Sequence, residues 1–333
     1  MKENNYFYSL DFFRGFCGYG VAISHLNAFV FKSMYAEYVS YLFVEFFFVL
    51  SGFVLYPQLI KVLNNKKNLL FFYQRRWLRT IPLYLVTAIA VAGLTNNLFS
   101  IDFFKYLFFI QKIAPNFLEN DYFPIAWSLS IEEIFYFSFP LILINLNKSN
   151  FLTYTFALIS IFIVLKFFVA GKVDANFLRT GSFLRLDAIL VGFILANYKK
   201  NIIPKKKEII LISFSLILIY LFNFEHFMYN SNSPNTQILF VILLQLISAF
   251  ILFSFLYLEN LILKLKAKKF CLLISRQTYS IYLTHIIYIY MLNKLDFTVV
   301  VSTLIYIILL FVSSSIIYNY FEKPFLSIRP KIK

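Results

Sequence analysis

The sequence predicts an all-α polytopic membrane protein: about ten transmembrane helices around a central polar cavity, with both termini cytoplasmic. Three observations predict it. Of the 333 residues, 60% are hydrophobic and 14% charged, against roughly 45–50% and about 25% in a soluble domain. Apolar runs near 20 residues, the helical length that crosses a bilayer core of ~30 Å, recur along the whole chain. The 31 Lys and Arg residues gather in short clusters between those runs.

The runs fall at 10–31, 38–59, 78–97, 127–146, 151–170, 182–198, 208–223, 237–258, 274–293 and 297–320. With the N-terminus inside, 22 of the 31 basic residues lie on the cytoplasmic side and six outside, while Arg14, Lys166 and Arg185 stay within spans. The inner set runs from Lys2 through Lys148 to Lys333, and outer acids such as Glu37, Asp121 and Asp296 agree with this orientation. The first run lacks a small-residue cleavage site, so it is expected to remain as span one. No internal repeat is visible, and 1–333 reads as one integral-membrane domain. The stretch IDFFKYLFFIQKI, within 97–125, suits a short helix lying on the outer face.

Composition also excludes several classes. Eight Gly and nine Pro leave no room for collagen-like or Gly-rich linker architecture. A net charge of +15 would suggest nucleic acid in a soluble protein, but here the basic clusters act as topology determinants, so membrane lipid is the expected partner and nucleic acid is not. Cys17 and Cys271 show no CxxC spacing and read as packing residues, so neither a metal nor a disulfide is expected.

Ionisable groups inside hydrocarbon cost a few kcal/mol each and need a partner or a function. At a rise of about 1.5 Å per residue, His25, Glu45, Glu132, Glu133, Arg185, Asp187 and His285 all fall about 5–12 Å below the outer edge. They come from five spans, which suggests one shared water-accessible site; pairing that only holds the bundle together is the alternative. Arg14 lies near the cytoplasmic edge of the span that carries His25. Eleven residues separate them, about 16 Å along the axis and within roughly 20° of the same face. An Arg fork and a distant His on one interior face suit a long ligand with an anionic head and a reactive far end. Arg14 snorkelling, or pairing with Asp11, is the structural alternative. His25 has the chemistry of a general base, with Glu132 or Glu45 as a carboxylate to orient it. His226 reads as a solvated loop residue, and His285 as either a site residue or a structural hydrogen-bonder.

These residues sit in segments that resemble, in order, the membrane acyltransferase family 3, integral-membrane O-acyltransferases that modify bacterial surface glycans. LDFFRGFCGYGVAISHL at 10–26 is similar to its first-span motif, with Arg14 and His25. VEFFFVLSGFVL at 44–55 resembles the FFxLSGF element, with Glu45 where Asp is common. RRWLRTIPLY at 75–84 carries the RxxR element as Arg76 and Arg79. WSLSIEEIFY at 127–136 is close to WSLSxE, with Glu132 as its acid. FLRLDAILVGFILA at 183–196 resembles the RxDxxxxG segment, with Arg185 and Asp187. SRQTYSIYLTHI at 275–286 and FEKPF at 321–325 resemble the closing elements, the latter with Lys323 where Arg is usual.

The resemblance implies a bacterial cytoplasmic-membrane enzyme that takes acyl groups, acetyl foremost, from cytoplasmic acyl-CoA to a hydroxyl of an extracytoplasmic glycan. No tightly bound cofactor is implied. Arg14, Arg76 and Arg79 would hold the acyl-CoA phosphates, His25 would act as base and Glu132 would orient it. Ser51, Ser128 and Ser130 are candidate oxyanion stabilisers by position. The chain stops at Lys333, so the stand-alone form without a following SGNH hydrolase-like domain is expected. Buried Arg, Glu and His also mark substrate paths, so a glycan or lipid-linked glycan transporter or flippase is the competing reading; a scaffold would leave the buried charges unexplained. Nothing in the pattern sets an oligomeric state.

Overall fold

The computed structural model describes residues 6–146, 150–229, 233–295 and 297–332. Lys2, Lys148, Asp296 and Lys333 of the charge pattern lie outside the described residues. Among the described residues the fold is all-helical, with no strand.

The long helices are α1 (Tyr8–Phe29), α2 (Met34–Asn64), α3 (Asn68–Leu94), α5 (Trp127–Leu143), α6 (Phe151–Val169), α8 (Leu186–Ile202), α9 (Lys206–Phe222), α11 (Pro234–Leu256), α13 (Lys268–Leu292) and α14 (Val299–Ile317). Short helices connect them: α4 (Ile101–Leu107), α7 (Ala175–Thr180), α10 (Phe224–Tyr229), α12 (Glu259–Lys264) and α15 (Lys323–Ser327). Six segments are long and apolar enough to cross a membrane: Met34–Asn64, Asn68–Leu94, Pro124–Leu143, Phe151–Val169, Pro234–Lys264 and Val299–Ser327. Helices α8 and α9, at 17 residues each, are short for a crossing, and α1 and α13 contain too many polar residues, most of them buried. Length and apolarity alone therefore support six of the ten expected crossings.

Helix α1 is wedged between α13 and α2, and α2 lies along α8. The α2–α8 contact is a backbone-on-backbone approach. A Cβ on Gly52 would sit 1.8 Å from the Ile189 carbonyl oxygen, and one on Gly192 would sit 2.1 Å from that of Val49. Small residues allow this approach, and dispersion then replaces the hydrophobic drive that lipid does not supply between helices. Helix α6 shows the opposite pattern, with Ile161, Val164, Phe167 and Phe168 exposed and suited to lipid.

The expected helix over IDFFKYLFFIQKI is shorter than its apolar run, because α4 ends at Leu107 and the chain turns through Phe109 at φ +59°. What orders the following loop is Asp102. Its carboxylate accepts from Lys105 Nζ at 2.9 Å and from the backbone N–H groups of Glu119 and Asn120 at 3.0 and 2.7 Å. Burial alone would raise this carboxyl, but the Lys105 ammonium and the two N–H groups outweigh it and hold it below the ordinary carboxylate range.

Candidate active site

Helices α1, α2, α5 and α13, with α3 on one side and α7 on the other, enclose two hollows that meet at Val44 and Tyr282. The first, about 90 Å³, is lined by Arg14, Arg76, Arg79, Ser51, Ser128, Glu132, Tyr136, Thr278, Tyr279 and Tyr282 among others. The helical repeat places these groups: Val44, Phe47, Phe48, Ser51 and Val54 form one stripe of α2, at intervals of three and four residues. Arg76 stacks its guanidinium 5.7 Å from the rings of Phe72 and Tyr136 and donates to Gln58 Oε1 at 2.5 Å. Its Nε is buried without a hydrogen-bond partner among the described residues. Among the described residues no carboxylate lies within ion-pair distance of Arg14, Arg76 or Arg79. Three guanidinium groups facing one hollow, none in ion-pair contact with a carboxylate, leave an excess of positive charge there, a chemistry suited to an anionic group. The hollow's own acid, Glu132, is held by Ser51 Oγ–H at 2.8 Å and Tyr136 O–H at 2.9 Å. The adjacent Glu133, about 100° further round α5, accepts from Thr80 Oγ1 at 2.6 Å.

The second hollow, about 180 Å³, contains His25, Glu37, Tyr41, Lys112, Asp121, Trp127, Asn176, Arg179 and Tyr282. His25 Nδ1 is 2.9 Å from His285 Nε2. Arg179 lies 3.9 Å from the Tyr41 ring centroid and 4.9 Å from that of Trp127, and donates to Asn176 Oδ1 at 2.9 Å. Tyr41 O–H is taken by Glu37 at 2.8 Å, and Lys112 pairs with Asp121 at 2.7 Å. Flat aromatic faces with alternating donors and acceptors suit a polyhydroxylated ligand.

Val44 and Tyr282 line both hollows. The Tyr282 hydroxyl lies 3.1 Å from the Ile125 carbonyl oxygen and 2.6 Å from Ser128 Oγ, in hydrogen-bond contact with both, so it is pinned across the junction. Arg14 and His25 lie on one face of α1 as expected, one in each hollow.

Several expected site residues sit elsewhere. Glu45 faces α8 and pairs with Arg185, while Asp187 takes Lys166 and Gln245 Nε2, the latter at 2.8 Å. None of Glu45, Arg185 and Asp187 lines either hollow. Glu45 is six residues from Ser51 on α2, about 120° round the helix, which turns it away from the cavity stripe. The residues expected at one depth therefore divide: Glu132 lines the first hollow and His25 the second, with His285 hydrogen-bonded to His25 but lining neither, while Glu45 pairs with Arg185, Asp187 with Lys166, and Glu133 is held by Thr80. Glu132 is also not the partner of His25, because its oxygens are engaged by Ser51 and Tyr136 on the arginine side of Tyr282. Ser130 is buried, with its Oγ 3.5 Å from the Ala126 carbonyl, and lines neither hollow, whereas Ser51 and Ser128 line the first. Asp11 accepts from Tyr6 and Ser275 rather than forming an ion pair with Arg14. Cys17 and Cys271 are free and buried.

Sequence reasoning passed over Arg179 and Tyr282. The available signal for Arg179 was an Arg on the arginine-poor outer side. The signal for Tyr282 was its place in SRQTYSIYLTHI at 275–286, a segment matched as a whole without singling out this tyrosine.

Comparison with known proteins bears on this arrangement. No solved structure matches the chain. The O-acetyltransferase OatA of Staphylococcus aureus strain NCTC 8325 is 27% identical over 366 residues, covering 97% of this chain and 58% of that protein; OatA of strain COL matches to the same extent. The chain thus spans a little over half the length of these curated relatives. The family model described as "Acyltransferase domain" matches residues 7–319, nearly the whole of the helical bundle, and the chain belongs to that membrane acyltransferase family.

Proposed function

We propose that the chain is an O-acyltransferase that moves an acyl group, acetyl foremost, from acyl-CoA in the arginine hollow to a hydroxyl of an extracytoplasmic glycan in the histidine hollow. The observation that carries this reading is the meeting, at Val44 and Tyr282, of a hollow lined by three arginines and one glutamate and a polar aromatic hollow containing a histidine. The names of the relatives, O-acetyltransferases, agree with it.

In this reading the ten long helices cross the bacterial cytoplasmic membrane with both termini inside, and 1–333 acts as one catalytic domain. Arg14, Arg76 and Arg79 bind the donor phosphates. Glu132 acts on the donor side, holding the Ser51 hydroxyl toward the arm that carries the thioester. Arg179, Tyr41 and Trp127 form the acceptor platform. His25 takes the acceptor hydroxyl proton as that oxygen attacks the thioester carbonyl carbon; the C–S bond breaks, and the thiolate recovers the proton from His25. Acyl-CoA is a substrate, and the proposal requires no resident cofactor or metal.

The test is transfer of labelled acetyl from acetyl-CoA to glycan extract in membranes containing the protein, beside His25→Ala and Arg14→Ala. Label incorporated by the parent alone supports the reading. Equal incorporation by His25→Ala removes His25 from the mechanism, and CoA-independent glycan movement across the membrane would install the transporter in its place.

A further inference from the structure

His25 has no carboxylate beside it; its ring partner is a second histidine. That replaces the usual orienting acid with a group that both donates and accepts, and the direction of the hydrogen bond then decides which His25 nitrogen is free. The direction follows from the far end of the chain. His285 Nδ1 lies 3.1 Å from the carbonyl oxygen of Ile281, one turn back on α13. A carbonyl oxygen only accepts, so His285 Nδ1 carries a proton. His285 is fully buried, and no carboxylate lies within ion-pair distance of either ring among the described residues. A second proton on that ring would be an uncompensated buried cation, so His285 is neutral and its Nε2 is a lone pair. The 2.9 Å contact therefore runs from His25 Nδ1–H to His285 Nε2. Among the described residues no hydrogen bond occupies His25 Nε2, and this ring lines the second hollow.

We propose that His285 is a positioning residue: the chain from His25 Nδ1–H to His285 Nε2, and from His285 Nδ1–H to the Ile281 carbonyl, locks His25 in one tautomer and presents bare Nε2 to the acceptor hydroxyl. The inference rests on His25 being the base. During transfer the hydroxyl proton joins His25 Nε2, the imidazolium keeps its Nδ1–H on His285, and the same proton leaves Nε2 for the thiolate, so His285 changes neither its protonation nor its partner. A neutral imidazole thus does the orienting work of a carboxylate without adding an anion to the interior.

The protein has three histidines, and His226 is exposed, so a His226→Asn background carrying ¹⁵N-histidine in nanodiscs leaves two rings to observe by long-range ¹H–¹⁵N correlation. The expected spectrum shows both rings neutral with Nδ1 protonated. A His25 ring protonated on Nε2 overturns the proposal, whatever the activity. In kinetics, His285→Met is expected to lower kcat by about 10²-fold with donor KM held. His285→Gln, whose carbonyl can accept from His25 Nδ1–H, is expected to recover most of that loss. An unchanged kcat in His285→Met, or equal loss in Met and Gln variants that both insert and elute monodisperse, also overturns it. Should His25→Ala prove fully active, the function reading fails while the tautomer measurement on the parent protein still stands.

Discussion

Removing one member of the Glu45–Arg185 pair tests whether these charges hold the bundle or do chemistry. Arg185 is 0% and Glu45 2% exposed, and among the described residues Arg185 Nε and Nη1 have no hydrogen-bond partner. Glu45→Met leaves a guanidinium in the interior beside Lys166, which Asp187 already neutralises. Breaking a buried pair from one side costs about 3–5 kcal/mol, whereas replacing both partners by apolar groups of similar volume is close to neutral or stabilising. At roughly 2 °C per kcal/mol for a chain of this size, the single variant should melt on the order of 5–10 °C lower. Glu45→Met/Arg185→Met should return near the parent midpoint. The assay is the monodisperse fraction of detergent-solubilised protein after a temperature ramp, with acetyl transfer per folded molecule measured in parallel. A double variant that is fully folded yet inactive would refute the structural assignment, as would a single variant with an unchanged midpoint.

Three further outcomes are expected. Gly52→Ala drives a methyl group into the Ile189 carbonyl and should destabilise by about 1–3 kcal/mol or more, seen as a lower midpoint in the same ramp; Gly93→Ala, whose added Cβ meets nothing closer than 3.8 Å, is the control. Arg76→Gln should raise KM for acetyl-CoA on the order of 10–100-fold, the loss of one or two charge-assisted hydrogen bonds, and alter kcat much less. Because the folded state holds Asp102 below its unfolded pKa of about 3.9, its contribution is present above that value and is lost as pH falls through the folded one. Protease nicking within 108–121 should therefore rise below about pH 4 in the parent, whereas Asp102→Asn should be nicked readily at neutral pH with no acid step.

Periodicity carried the sequence reading where one helix decides the geometry. Arg14 and His25 share a face because eleven steps of about 100° nearly close three turns, and the structure puts them in adjoining hollows. Depth along a span was less informative than azimuth: Glu45 and Ser51 share α2, but only Ser51 turns to the cavity. Partner choice was illegible. Glu132 and His25 lie at similar expected depths, yet Tyr282 stands between their hollows, and that tyrosine reaches the junction only because α13 packs along α1. Arg179 likewise reaches the site from α7, the short helix that follows α6, a tertiary placement that no local pattern encodes. The α4 helix was overextended because an apolar run does not reveal the turn at Phe109.

The junction at Tyr282 also has an electrical consequence. In the proposed arrangement the two hollows open to opposite faces of the membrane, and the potential falls across what separates them, about 2.3 kcal/mol per elementary charge per 100 mV. In the proposed reaction the CoA sulfur and the acceptor oxygen each stay on their own side of Tyr282; an acyl group passes one way and a proton the other. Formally this exchanges one acylium for one proton, and the net charge displaced is zero. Such a barrier can be one side chain thick without the enzyme drawing on the membrane potential or working against it, so turnover in sealed vesicles should be the same whether the membrane is polarised or short-circuited.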